Sequence, residues 1–495
     1  MNNNLKIILF NKNQFLSRIL LLFFIYFFLK CQPASLNNPS DPNSKAFFEN
    51  AMLLCALGVT PCNSCSAAPG PWDSFIGEVT TAASFTNGLS FRSDLSHQLY
   101  GLTFTNNNFG SGGINFQGTV GSTTNFLLTK FSATGQRQWL SYLGQRSDRP
   151  NGVRLKENDG VYVFGSTPTN SLPKPILPHV GVGANSFLVK YDFNQEVVWS
   201  KYYNDGTNTE SVVISDVTEA SDATGFYIFG YSTGALLNPG IVIGASSASD
   251  WFIQKINLNG EAIWTRYFPS PTPISNFRPL RIQEIPNAQG YYLVLKVDDT
   301  INGVYTNGLN IYPTVSTNLI MKLDQNFAYQ WHRYLGGTSA ISDDIAPSLV
   351  VFSDQTVVTS SLYSDPSPSI GLPHPGGSIA STIFYRLDGS GNLVYSSFVY
   401  KTGESVMISD TQKLTNGNLL ISGTVDSLTG IASELNPMTF LENYRVSGKE
   451  SFKSASVQHC DGSFSSYGSS DRVIADSPIP YGNGATNAIF SRFKL

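Results

Sequence analysis

Charge is scarce in this chain. Asp, Glu, Lys and Arg together make up 13% of the 495 residues, with 31 basic against 35 acidic side chains. The formal net charge of −4 leaves no basic field to hold a polyphosphate backbone, so no nucleic acid partner is expected. Histidine is equally sparse. The five present (His97, His179, His332, His374, His459) are scattered, and no two stand at the i, i+4 spacing of a helical metal pair. There is no sialidase-type Asp box and no calcium-loop spacing. Asp298-Asp299 and Asp343-Asp344 read as exposed-loop pairs with nothing to join them in one site.

Long apolar runs are also missing. Near the N-terminus Lys6, Lys12 and Arg18 precede eleven apolar residues, 19–29, which Lys30 and Cys31 follow. As a helix this run spans about 16 Å at ~1.5 Å per residue, well short of the ~30 Å hydrocarbon core. Residues 1–30 therefore read as an export signal. Cysteine is limited to Cys31, Cys55, Cys62, Cys65 and Cys460. The last four are an even set in an exported chain, which favours disulfides with three possible pairings. Cys62-Asn-Ser-Cys65 has half the spacing of a zinc site but lacks a second ligand pair, so no metal is expected.

A Cys directly after an export signal resembles the lipobox of bacterial lipoproteins, whose Cys is acylated and becomes the new N-terminus. Phe28, Leu29 and Lys30 stand where the usual box has a Leu and, beside the Cys, a small residue. Spirochaetal lipoproteins carry looser boxes, and this sequence resembles that group most. The resemblance implies lipidation at Cys31, a membrane partner through that anchor, and a place in the cell envelope on the outer membrane. Residues 31–71, rich in Pro, Asn and Ser, read as a tether for a folded body at 72–495.

What is abundant is glycine, proline and aromatic residues: 43 Gly, 26 Pro and 13% Phe, Trp and Tyr, the profile of an all-β chain with many turns. A repeat runs through it. Trp72-Asp-Ser-Phe-Ile-Gly77 matches Trp139-Leu-Ser-Tyr-Leu-Gly144 and Trp331-His-Arg-Tyr-Leu-Gly336, with weaker copies at Trp199, Trp264 and Tyr395. Nine residues before the last five aromatics lie Lys130, Lys190, Lys255, Lys322 and Arg386, each in an apolar run. Gly135, Gly260 and Gly391 fall five residues after a basic residue, where a hairpin needs positive φ. A further strand recurs seven times, starting near Gln98, Val161, Phe226, Tyr291, Val357, Leu419 and Phe464.

The pattern is similar to the seven-bladed propeller repeat of many exported bacterial proteins, seen best in Leu323-Asp324, Trp331…Gly337 and Leu387-Asp-Gly-Ser-Gly391. That resemblance covers nearly everything after residue 72 and implies a β-propeller of four-stranded antiparallel blades. Trp72 has no basic strand before it, while the chain ends on a basic strand, 487–495, with no aromatic strand after it. The strand near Trp72 is thus expected to pair with the one ending at Leu495 and close the ring. In the sixth unit, strands three and four are expected within 439–456, with Tyr444-Arg445-Val446 as the basic strand.

Candidate chemistry is thin. Gly230-Tyr-Ser232-Thr-Gly234 has the letters of a nucleophile elbow, but that motif needs a strand-to-helix turn and here it occupies a strand ending. The Trp series reads as packing between blades, and the repeated Lys or Arg as a blade-edge partner of Asp324 or Asp388. His179 and His374 share one repeat position. No residue stands out as catalytic or cofactor-binding, and no cofactor is expected. The expectation is a monomeric, non-enzymatic binding protein whose loops 168–183, 234–249 and 365–378 form rims for a protein or polysaccharide ligand. Two other readings stand beside it. One is a quinoprotein-type dehydrogenase, whose repeats also end in Gly-x-x-x-Trp but whose adjacent Cys pair is absent here. The other is an outer-membrane assembly scaffold. Convergent Asp, Arg and His in the channel would favour catalysis; a Ser, Thr and Asn lining would favour binding or scaffolding.

Overall fold

The computed structural model describes residues 70–493 apart from 77–89, 110–113, 121, 146–151, 182, 207–211, 245–249, 270–276, 298–304, 311–316, 337–346, 364–368, 375–380, 400–405, 426–428, 448–452 and 471–486. The candidate lipidation site Cys31, the signal and the tether lie outside the described residues.

Seven antiparallel sheets make up the body. We number the blades along the chain by their innermost strands: Ser90–Ser93, Gly152–Lys156, Val212–Glu219, Phe277–Glu284, Leu349–Val351, Val406–Lys413 and Lys453–Gln458. Each innermost strand packs on the next, and Lys453–Gln458 packs on Ser90–Ser93, which completes a ring around a central channel. In the seventh blade Trp72–Phe75 supplies the outermost strand, with Trp72 opposite Arg492 and Phe75 opposite Ile489. The expected closure is present, and no blade is left with an open seam.

The repeat has a packing logic. Second and third strands such as Leu99–Thr105 and Asn125–Phe131 are buried on both faces, because each blade is covered by two neighbours. Each basic residue sits across from a second-strand residue and, in four blades, over a tyrosine ring: Lys130 over Tyr100 and Lys190 over Tyr162 at 5.4 Å, Lys255 over Tyr227 and Lys322 over Tyr292 at 5.7 Å. In four blades its charged partner is the carboxylate in the turn between first and second strands. Lys190 pairs with Asp159 at 2.6 Å, Lys255 with Asp222 at 2.5 Å, Arg386 with Asp354 at 3.7 Å and Arg492 with Asp461 at 3.3 Å. Asp324 and Asp388, expected to fill that role, instead cap their own hairpins by accepting backbone N–H bonds from Asn326 and Ala328 and from Ser390 and Asn392.

The tryptophans bind one blade to the next, as expected. The indole N–H of Trp72 donates to Ala133 O at 2.8 Å, that of Trp199 to Leu258 O at 3.1 Å and that of Trp331 to Gly389 O at 3.3 Å. These carbonyls belong to the hairpin of the following blade. The hairpin glycine lies under the ring, so a Cβ on Gly135 would sit 2.5 Å from Trp72.

Two sequence expectations are corrected. The third strand of the sixth blade is Thr429–Leu435, not a segment within 439–456; Glu442–Ser447 is its fourth strand. Glu434 lies opposite Tyr444, the register held elsewhere by Lys opposite Trp, so this blade is regular in backbone but reversed in charge. Described parts of the Pro/Gly-rich segments lie along the outer edges of the blades and not on a rim. Pro175–Leu177 and Ile241–Ile243 run parallel to the outermost strands Val197–Tyr203 and Ala262–Phe268 as fifth strands, and Gly308–Asn310 does the same in the fourth blade. In the fifth blade Ile370 N and Gly371 N donate to Ser396 O. These segments cover strand edges that would otherwise present open hydrogen-bonding groups.

Candidate functional site: the central channel

The innermost strands run along the axis of the ring, and their register fixes which residues share a level. Counted from pairing with the second strand, one layer contains Arg92, Arg154, Thr218, Gln283, Val350, Gln412 and Val457, opposite Tyr100, Tyr162, Tyr227, Tyr292, Val358, Leu420 and Ser465. Of these, Val350 and Val457 are buried in hydrophobic clusters instead of lining the cavity described below. Two residues earlier on each strand is a second layer that includes Asp216, Arg281, Ser348 and Asp410. In four blades a β-bulge directly precedes this second position, at Ser215, Leu280, Ser409 and Ser454. A bulge adds one residue and re-aims those that follow. Three of the four bulged strands bring a charged side chain, Asp216, Arg281 or Asp410, to one cavity.

That cavity has a volume of about 190 Å³. Arg92, Arg154 and Arg281 line it with Asp216 and Asp410, and around them stand the neutral polar groups of Thr218, Gln283, Ser348, Ser409, Thr411 and Gln412. The first six blades each contribute charge or a hydroxyl. Among the described lining residues, three guanidinium groups against two carboxylates leave one net positive charge.

Asp216 organises the cationic side. Its side chain is only 4% exposed and takes a hydrogen bond from Arg154 Nη2. The same carboxylate accepts Val217 N at 2.9 Å and, from the fourth blade, Ile282 N at 3.1 Å. Arg281 Nη1 lies 3.9 Å from it. Arg154 also donates through Nε to Val217 O and through Nη1 to Val153 O at 2.9 Å. Arg154 is therefore held in place, and the second, third and fourth blades are tied together around the axis.

Arg92 feels this crowding. Burial, and then the positive charge of Arg154, lower its pKa to about 10, with Arg281 adding to the effect and Asp410 and Asp216 opposing it. On the other side Asp410 accepts Gln412 Nε2 at 3.1 Å. Ser348 and Thr411 join the fifth and sixth blades through a 2.6 Å hydroxyl pair.

The other candidates resolve into structure. Ser232 ends the strand Gly225–Ser232 and its hydroxyl bonds to Gly234 N and O, which is a turn and no nucleophile elbow. His179 and His374 sit edge-on against Tyr202 and Phe398 at 5.1 and 5.0 Å, equivalent places in two blades. His332 is buried in hydrogen-bond contact with Tyr329 OH at 2.7 Å. His97 and His459, far apart in sequence, meet at 5.1 Å beside Arg492, Asp461 and Ser93, where the seventh blade adjoins the first. Cys460 is disulfide-bonded, to a partner outside the described residues. Among the described residues no group of three or more His, Cys, Asp or Glu could hold a metal. Asp298-Asp299 and Asp343-Asp344 lie outside them.

No protein-family model and no curated protein matches the chain. Solved structures of similar fold include a periplasmic gluconolactonase of Pseudomonas aeruginosa, 10% identical over 73% of this chain and 87% of that one, TM-score 0.35. A europium-containing methanol dehydrogenase is 11% identical over 87% and 92%, TM-score 0.38. The polysaccharide lyase Uly1 is 8% identical over 82% and 90%, TM-score 0.43. Likeness at this level speaks to fold alone. The expectation that the chain is not an enzyme is nonetheless corrected, because the propellers it resembles include enzymes. It had rested on the lack of catalytic motifs along the chain, whereas the channel gathers its Asp and Arg from separate blades.

Proposed function

We propose that the central channel is the ligand site of a cell-envelope propeller and that its ligand is a small anion. The observation that supports this reading is the convergence of Arg92, Arg154 and Arg281 on one cavity, where the carboxylates among the described lining residues are Asp216 and Asp410. Guanidinium groups crowded together at low exposure repel one another, and an anion that enters relieves the repulsion while forming charge-assisted hydrogen bonds. The test is thermal unfolding at constant ionic strength, with chloride replaced by sulfate, phosphate or citrate. Specific binding raises Tm in the wild type and not in Arg92→Ala. Equal Tm in all four salts overturns the reading.

A second reading, turnover of the bound anion, is favoured by Asp410, whose carboxylate faces the same cavity as Arg92 and Arg281. A carboxylate able to accept a proton beside cations able to hold developing negative charge is a minimal acid–base arrangement. Loss of turnover but not of anion binding in Asp410→Asn would support it.

The proposal also places the body outside the cytoplasm, held to a membrane, on the outer-membrane side, by a lipid on Cys31. The disulfide at Cys460 suits an oxidising compartment. Metabolic labelling with a fatty-acid analogue, lost in Cys31→Ser, tests the anchor. Protease digestion of intact cells beside a periplasmic control then tells surface display from a periplasmic face.

A further inference from the structure

The channel is two-sided, and each side suits a different chemical group. The cationic side comes from the first, second and fourth blades through Arg92, Arg154 and Arg281. The other side comes from the fifth and sixth through Ser348, Ser409, Asp410, Thr411 and Gln412. A simple inorganic anion uses only the first. It would also face the Asp410 carboxylate across a cavity of about 190 Å³, with nothing between them but water.

Resting on the anion-site reading above, we infer that the ligand is a hydroxy acid of single-sugar size, its carboxylate between Arg92 and Arg281 and its hydroxyls toward Asp410, Ser409 and Thr411. Arg154 contributes field more than contact, because Asp216 already holds its Nη2 and Val217 O its Nε. A carboxylate has about four acceptor positions, and Gln412 Nε2 uses one on Asp410. Ligand hydroxyls are the donors that the remaining positions call for. They also separate the ligand's own carboxylate from Asp410.

A zwitterionic ligand fits less well. No aromatic ring stands among the described lining residues to receive an ammonium group. Asp216 is engaged, so Asp410 would have to hold the amine alone. The neutral lining still offers a polyol acceptor lone pairs, with Ser348 bonded to Thr411 and Ser409 Oγ donating to Ser422 O.

Isothermal titration of the full-length protein in detergent tests this with five probes: sulfate, glucuronate, gluconate, glucose and glycine. Expected is binding of glucuronate or gluconate at least tenfold tighter than sulfate, with no measurable heat from glucose. Asp410→Asn should remove the advantage of the hydroxy acids over sulfate and leave sulfate binding at least as tight as in the wild type. Arg281→Ala should abolish both; Arg281→Lys, which keeps the charge but loses the fork, serves if the alanine variant fails to fold. Sulfate binding with no gain for either hydroxy acid overturns the hydroxy-acid inference and leaves the anion site standing. Glycine binding tighter than both hydroxy acids also overturns it. Absence of binding by every anion removes both proposals.

Discussion

Trp72 lies opposite Arg492 in the outer half of the seventh blade, so the two ends of the body are neighbours in one sheet. The pairing reproduces, between distant segments, the register of Trp199 opposite Lys190 and Trp331 opposite Lys322 inside single hairpins. Deleting residues 490–495 removes the strand that both Trp72–Phe75 and Phe464–Ser470 pair with. The expected outcome is loss of a single cooperative melting transition. Unchanged melting of the truncated protein would refute closure as a source of stability.

The hairpin glycines test the contact between blades separately from backbone strain. Gly135 and Gly417 both have positive φ, at 81° and 86°. A Cβ on Gly135 would meet the Trp72 ring at 2.5 Å, while nothing lies within 4 Å of one on Gly417. Gly417→Ala should cost about 1 kcal/mol, the left-handed backbone alone. Gly135→Ala should cost about 2 kcal/mol more, because the indole must move. Chemical denaturation of both variants measures the difference, and equal costs would mean that the Trp72 contact contributes nothing.

Charge reversal in the sixth blade leads to a double-mutant cycle. Glu434 accepts from Asn416 and Asn418, where other blades set a cation against a turn carboxylate. Glu434→Lys alone should destabilise by about 1 kcal/mol, because the cation then faces amide donors. Adding Asn416→Asp recreates the Lys255–Asp222 arrangement and should restore most of the loss. A coupling energy indistinguishable from zero would show that the polar pair is incidental.

The sequence revealed the features that repeat and hid those that do not. Second strands, hairpin glycines and the incomplete first and last units were legible because the same residue types recur at nearly fixed spacing. The third strand of the sixth blade escaped because Glu434 replaces the basic residue, Tyr444 stands ten residues on instead of nine, and no Trp marks it. The channel escaped for a deeper reason. At one register position its layer runs Arg92, Arg154, Thr218, Gln283, Val350, Gln412, Val457, with no chemistry in common. A position that builds the scaffold is the same in every blade, whereas one that faces a ligand is free to differ. Counting eight or nine residues back from Tyr100, Tyr162, Tyr227, Tyr292 and their equivalents would have aligned these side chains before any coordinates.

Acid should destabilise the fold through two buried imidazoles. Burial, aided by Arg492 and His97 and opposed by Asp461, lowers His459 to about 3. Burial and the neighbouring Arg333 lower His332 to about 4. In the unfolded chain both protonate near 6.5. Between the folded and unfolded values the unfolded state binds more protons, so stability is complete above about pH 6.5 and falls as pH drops toward 4. Each group contributes up to about 1.4 kcal/mol per pH unit. The expected result is a fall in Tm from pH 7 to pH 5 that is shallower in His459→Gln; equal slopes would exclude His459 as a source.

Two neutralising substitutions in the channel should differ sharply although they remove the same charge. Asp216 is almost fully buried, pairs with Arg154, whose side chain is only 16% exposed, and accepts backbone N–H groups from two blades. Asp216→Asn leaves that guanidinium without its carboxylate in a poorly solvated place, and removing one partner of such a pair costs about 3 kcal/mol. Asp410 is half-buried and accepts one side-chain bond, from Gln412, so Asp410→Asn should cost less than about 1 kcal/mol. Thermal melts without added ligand should therefore show a clear fall for Asp216→Asn and little change for Asp410→Asn. The opposite ranking would mean that Asp410, not Asp216, holds the blades together around the channel, and the division between a structural carboxylate and a ligand-facing one would have to be reversed.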